Sequence, residues 1–293
     1  MTSIWRKLSV TTIVLALAVA SAARGDTTTA FARVAEDEQQ RPTALQMAIV
    51  TYVPKDGSRD FHVDLVSAIH IGDETYYTEL NDRFAGYDAL LYELVAPEGA
   101  VTLQPDGKRK GILSNTQLGM TKLLGLAFQL DEIDYDKANF VHADLSPEEL
   151  RQSMAERDES LYVYFWRVFF ASLDEYAKDP LGMKDWRVLS TMLESDQDSA
   201  LKTMIAYEMT NIDQVRDIFG EDSNSAVIGA RNQRAIEVLL SQLDSGAKRV
   251  GIFYGVAHMP DMEQRLLNEV GLAYYKTTWI DAWQLGSSSA DAL

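Results

Sequence analysis

The chain carries four histidines and no cysteine, so each imidazole can be weighed singly. His70 closes the apolar run "FHVDLVSAI" (61–69) and is followed by Ile71, Gly72 and Asp73. His258 follows "KRVGIFYG" (248–255) in the same manner, and Glu93 stands near the end of a third apolar run, "YDALLYELV" (87–95). In parallel α/β sheets the carboxyl ends of the strands meet at one crevice, where ligands bind. Three groups far apart in sequence can therefore converge there. Two imidazoles and a carboxylate suit two chemistries. They can ligate a divalent cation that acidifies water, or Glu93 can act as a general base while a histidine polarises water or a carbonyl.

Each residue also has a plainer reading. A strand-end histidine is often just a hydrogen-bonded structural residue. Glu93 lies between Tyr92 and Leu94, where an ionised carboxylate is costly unless paired. It therefore calls for a metal, a histidine or an arginine as partner. Arg231 and Asn232 open a helix, and Arg231 is the natural counter-ion or oxyanion clamp, although alone the pair reads as a solvated helix start. Asp73 and Tyr77, just after His70, are placed with the substrate contacts, as is His142 in "NFVHADLS". His62 alternates with its strand neighbours and reads as structural.

These residues depend on the elements around them. "LQMAIVTYV" (45–53) and 61–69 read as strands. "DETYYTELNDRFAG" reads as a helix with Asp73 as N-cap and Gly86 past its end, and 87–95 reads as a strand. That βαβ unit favours parallel pairing. Segments 115–130, 161–176, 186–195 and 198–219 read as helices, the second densely aromatic and suited to core or lid. "SPEELRQSMAERDES" opens with a Ser146 cap and a first-turn proline. An amphipathic helix (229–246), a strand (248–255), a loop, a helix (261–271) and a final strand (272–283) complete the pattern. The expected fold class is α/β, a three-layer α/β/α arrangement with a mostly parallel central sheet and a helical insertion subdomain. The expected divisions are a signal peptide (1–22), a flexible lead (23–43), the first part of the core (44–109), the helical insertion (110–227), the second part of the core (228–285) and a disordered tail (286–293).

"MTSIWRK", then "LSVTTIVLALAVASAA" with small residues at Ala20 and Ala22, fits a cleaved export signal. The run is short for a membrane span, so the expectation is a periplasmic or secreted protein with no stable span after cleavage. A formal charge of −17 argues against a nucleic-acid partner and against docking on anionic lipid. Without cysteine there is no disulfide, thiolate nucleophile or Cys-ligated zinc. No G-x-S-x-G, P-loop, G-x-G-x-x-G or H-E-x-x-H motif occurs.

"SAIHIGDETYYTEL" with "YDALLYELV" resembles the first motif of the TraB/GumN/PrgY family, to which the TIKI proteins belong. "ARNQRAIEVLLSQLDSGAKRVGIFYGVAHMPDMEQRLLNEVGLAYYK" resembles the second. Gly255-Val256-Ala257-His258 matches that family's G-x-x-H in full, and His70, Glu93, Arg231 and Asn232 fall where the family places such residues. Ser67 stands where the first motif has glycine, and Ala230 where an acidic residue often precedes Arg-Asn. The resemblance implies a fold related to erythromycin esterase and ChaN-like proteins, and a hydrolase-type site. It further implies either a divalent-metal-dependent peptidase, with Mn, Co or Zn held by His70, Glu93 and His258, or a metal-independent esterase-like centre. The substrate would be a peptide or a small molecule. A competing reading is a non-catalytic binder of a peptide, haem or other small ligand.

Overall fold

The computed structural model describes residues 29–57, 60–95, 126–157, 197–210 and 225–285. The chain divides into two compact units, Met1–Ala30 and Phe31–Leu293, and the following concerns the second. The signal segment, the aromatic stretch 161–176, the segment 186–195 and the tail lie outside the described residues.

The fold is α/β, with a central sheet of mostly parallel strands and helices on both faces. In chain order the elements are β1 (Ala32–Glu36), β2 (Pro42–Pro54), β3 (His62–Ala68), β4 (Ile71–Gly72), α1 (Glu74–Phe84), β5 (Ala89–Tyr92), β6 (Ala127–Phe128), α2 (Gln129–Glu132), β7 (Phe140–His142), α3 (Pro147–Glu156), α4 (Gln197–Thr210), α5 (Arg231–Asp244), β8 (Arg249–Gly255), α6 (Met259–Arg265) and β9 (Leu272–Gln284). A π turn (Ala226–Ala230) leads into α5, and a 3-10 turn (Val256–His258) leads into α6.

Strand β2 pairs antiparallel with β9 along its length, and with β1 and β3 in succession. Beyond β3 the neighbours are β8, β5 and β7, all paired in parallel. Every strand of this sheet except β2 therefore runs in one direction, and β3, β8, β5 and β7 end along the same edge.

Burial on both faces explains the nearly continuous apolar strands. Leu45, Met47, Ile49, Val66, Leu90, Tyr92 and Phe253 pack with Tyr76, Tyr77, Leu80 and Phe84 of α1 on one side. Ala48, Val50, Leu65, Leu91, Ile252 and Tyr254 pack with Ala235, Ile236 and Leu239 of α5 and Met259 and Met262 of α6 on the other. By the two-residue alternation of a strand, Glu93 extends the Ala89–Leu91 face, toward α5.

Four segments depart from the sequence reading. Residues 32–36, expected within a flexible lead, form strand β1 on the edge of β2. Within the stretch expected to be a helical insertion, residues 140–142 form β7, a strand of the central sheet, and 127–128 pair with β4. Both strands are too short to show a period. Finally, "VAHMP", expected as a loop, is a helical turn running straight into α6. Other expectations hold: Ser146 caps α3 through a complete capping box with Glu149, and of the helix expected over 198–219 the described part is helical, within Gln197–Thr210, while 211–219 lies outside the described residues. Asp73 does occupy the N-cap position of α1, but its side chain makes no cap hydrogen bond. Among the described residues no helix is long and apolar enough to cross a membrane.

Gly251, in the middle of β8, lies under α1's side of the sheet, where an added Cβ would stand 2.6 Å from Leu90 Cδ1 and 2.9 Å from Tyr87 Cε2. Gly251→Ala is expected to lower unfolding free energy by about 1–3 kcal/mol through overpacking, measured by urea denaturation.

Candidate active site

The order of the strands brings four side chains to one edge. His70 follows β3, His258 follows β8, Glu93 follows β5 and Asp144 follows β7. Neighbouring strands lie about 4.8 Å apart, so the sequence order 70, 93, 144, 258 becomes the spatial order 70, 258, 93, 144.

Arg231 reaches this row from α5. Buried positions on that helix are Arg231, Asn232, Ala235, Ile236, Leu239 and Leu243, so the Arg-Asn pair continues the apolar stripe that seats the helix on the sheet. The solvated-helix-start reading of Arg231 and Asn232 is thereby replaced: they are 9% and 0% exposed. The guanidinium donates from Nε to Asp144 Oδ1 (2.9 Å) and from Nη2 to Asp144 Oδ2 (2.6 Å) and Glu93 Oε1 (2.7 Å). This is the partner that Glu93 requires. The second Glu93 oxygen, Oε2, accepts the Gly255 N–H at 2.7 Å. A Cβ on residue 255 would lie 3.3 Å from that oxygen, so glycine permits the approach.

His258 is 4% exposed. Its Nε2 stands 3.6 Å from Glu93 Oε1 and 3.4 Å from Arg231 Nη1, and its Nδ1 is 2.6 Å from Asn232 Oδ1. The Tyr254 ring stacks edge-on against the imidazole, and its hydroxyl donates to the Ala143 carbonyl.

Electrostatics follow from this crowding. Burial works against a charged Glu93, but His258, Arg231, the Gly255 N–H and His70 outweigh it and hold the carboxyl at about 2. Burial likewise pulls the His258 imidazole down to about 4, against the opposing attraction of Glu93. The ring is thus neutral at neutral pH, and Arg231 is the permanent cation facing Glu93. Burial opposes the Arg231 charge too, but its hydrogen bonds to Asp144 and the charges of Glu93 and Asp144 raise its pKa above the ordinary value.

His70 is exposed, and it lies near enough to act on the Glu93 charge. The protein holds the backbone on both sides of it. Tyr76 and Tyr77 hydroxyls donate to the Ser67 and Ile69 carbonyls, the Gln129 N–H to the His70 carbonyl, and Trp283 Nε1 to the Ile71 carbonyl. Of the residues expected to touch substrate, Tyr77 is fully buried in this scaffold. Asp73 accepts from Lys202 Nζ and the Gln284 N–H, which ties α4 and β9 to the start of α1. His142 donates Nε2–H to the Leu94 carbonyl at 2.6 Å, bracing the chain just past Glu93. The polar contacts of these three residues serve the scaffold.

Asp144, whose side chain is fully buried, is the site residue that sequence reasoning missed. Its signal was a carboxylate following a short apolar strand ("FVHAD"), the same pattern as "LLYE" before it. Among the described residues no group of three or more His, Asp or Glu side chains is arranged to hold a metal. Both Glu93 oxygens are already engaged, and a guanidinium stands between Glu93 and Asp144. No family model, curated protein or solved structure matches the chain, so the family resemblance rests on the motif residues themselves.

Removing one member of a buried pair strands the other. Asp144→Ala is therefore expected to cost about 3–5 kcal/mol of unfolding free energy, measured by chemical denaturation. Acid should act on two groups. His258 must gain a proton that an unfolded histidine already binds, so stability falls as pH drops from about 6.5 to about 4. Glu93 must be neutralised as pH falls from about 4.5 toward 2, removing more. Each contribution is on the order of 3 kcal/mol. His258→Gln should abolish the upper step in a pH series of urea melts and, by removing the imidazolium that helps keep Glu93 ionised in acid, shrink the lower one and move it to higher pH.

Proposed function

We propose that the protein is an exported TraB/GumN-like hydrolase whose centre is Glu93, His258 and His70, acting on the carbonyl of a peptide or small-molecule ester. The observation that carries this reading is the approach of His258 Nε2 to Glu93 Oε1, 3.6 Å, beside a buried guanidinium. A water at this point meets two proton acceptors, since both groups are in their basic forms at neutral pH. Their basicity is low, so rate must come from holding the water against the substrate carbonyl rather than from proton affinity. His70, exposed on the same edge, is the group free to face that carbonyl. Arg231 spends three N–H groups on Asp144 and Glu93. Only Nη1 remains available to developing negative charge, and the main task of this residue is to keep Glu93 ionised and in place.

The same arrangement supports the metal-independent version of the centre. Arg231 supplies the positive charge that a cation would otherwise bring, and it occupies the carboxylate oxygen that would bind one. A Mn, Co or Zn ion would have to displace it.

In an assay of the exported protein against a panel of peptides, lactones and aryl esters, hydrolysis is expected to survive dialysis against EDTA. Glu93→Gln should lower kcat by at least 10²-fold with its fold retained by circular dichroism, because the Gln oxygen can still accept from Arg231, although its amide nitrogen then faces the Gly255 N–H and that one bond is lost. Activity that is lost to EDTA and restored by Mn, Co or Zn would transfer the reading to a metallopeptidase. Inertness of the wild type across the panel, with and without these ions, would favour a ligand-binding protein instead.

A further inference from the structure

We propose that Asp261 is a positioning residue for His258, acting through Asn232 to hold the imidazole as its Nδ1–H tautomer with the Nε2 lone pair turned toward Glu93. The purpose of this arrangement rests on the hydrolase reading above; its content rests on the hydrogen bonds alone.

The neutral imidazole has one N–H and one lone pair, and its neighbours decide which nitrogen carries which. The Asn232 amide faces Nδ1 with its oxygen at 2.6 Å, while its nitrogen donates to the His258 carbonyl (3.1 Å) and to Asp261 Oδ2 (2.8 Å). Both partners of that nitrogen are pure acceptors. Rotating the amide by half a turn would set its oxygen against a carbonyl and a carboxylate oxygen, two acceptor-to-acceptor contacts. The amide oxygen is therefore committed to His258, and Nδ1 must carry the proton. On the far side of the ring Arg231 Nη1 lies 3.4 Å from Nε2 and favours a lone pair there, while Glu93 Oε1 at 3.6 Å favours an N–H, so the choice of tautomer falls to Asn232.

Asp261 is itself held. It stands in the first turn of α6, three residues beyond His258, and accepts Arg265 Nε–H on the same Oδ2 at 2.7 Å. Arg265 is anchored in turn by Gln233 Oε1 at 2.6 Å. The chain Arg265–Asp261–Asn232–His258 thus ties the N-terminal turn of α5 to that of α6. It serves the imidazole as a backbone carbonyl or carboxylate serves many functional histidines, fixing ring orientation and tautomer from behind. Of the two acceptors on the Asn232 nitrogen, the His258 carbonyl moves with the histidine. Asp261 holds the amide from the first turn of α6, where Arg265 fixes it.

The test is the tautomer, read by two-bond 1H–15N correlation on protein labelled with 15N-histidine at neutral pH, without substrate. Wild-type His258 is expected to show a protonated Nδ1 and an unprotonated Nε2. In Asp261→Ala the signals should shift toward the Nε2–H form, as the released amide turns over. In Asp261→Asn, whose oxygen still accepts from Asn232, the wild-type pattern should return. An Nε2–H form in the wild type overturns the proposal, as does an unchanged spectrum in Asp261→Ala or an Asp261→Asn variant that behaves like it. If the alanine variant does not fold, the wild-type and asparagine spectra still decide. Failure of the hydrolase reading would appear as absent turnover with these spectra unaffected, so the two outcomes are separable.

Discussion

The buried guanidinium of Arg231 is the interaction on which the rest of this site depends. Two carboxylates, Glu93 and Asp144, stand behind the ends of adjacent strands in surroundings that penalise charge. A buried carboxylate is costly unless a cation of fixed position pairs it. Arginine suits the task because its planar fork grips Asp144 with two donors and still offers a third to Glu93. The same side chain continues the apolar stripe of α5, so seating the helix on the sheet and delivering the cation are a single event. Helix α5, strand β5 and strand β7 are locked together at one point.

Around that point the polar atoms are held from behind. Asn232, Asp261 and Arg265 hold His258; Tyr76, Tyr77, Gln129 and Trp283 hold the carbonyls beside His70. Glu93 is clasped between Arg231 and the Gly255 N–H. The centre is thus fixed on rigid elements, and it combines weak bases with exact placement. Such a site gains from orientation and from excluding competing conformations, and it accepts a low proton affinity in return. On the proposed reading, the exposure of His70, against the burial of its companions, marks the side from which a substrate would arrive.

Much of the scaffold was legible in the sequence because each element carries its own local cause. The apolar runs at 45–53, 61–69, 87–95 and 248–255 each hold a strand of the central sheet, and the capping box at Ser146 starts a helix. Glu93 could be recognised as needing a partner from its apolar flanks alone. What escaped notice were pieces too short for periodicity to act on. β1 is an edge strand in a polar stretch. β7 is three residues long, and Asp144 was hidden by missing it.

By itself, then, the sequence determined the longer strands and helices, which strand ends bear His70, Glu93 and His258, and that a charged group among apolar neighbours must be paired. These follow from propensity, alternation and desolvation, which act over a few residues. Only the tertiary structure decided who the partners are. The insertion of β8 between β3 and β5 puts His258 beside Glu93, although 165 positions separate them in the numbering. The pairing of β7 with β5 brings Asp144 to Arg231. Strand order is a property of the whole packed sheet, set by how two apolar faces are covered at once, and no local pattern encodes it.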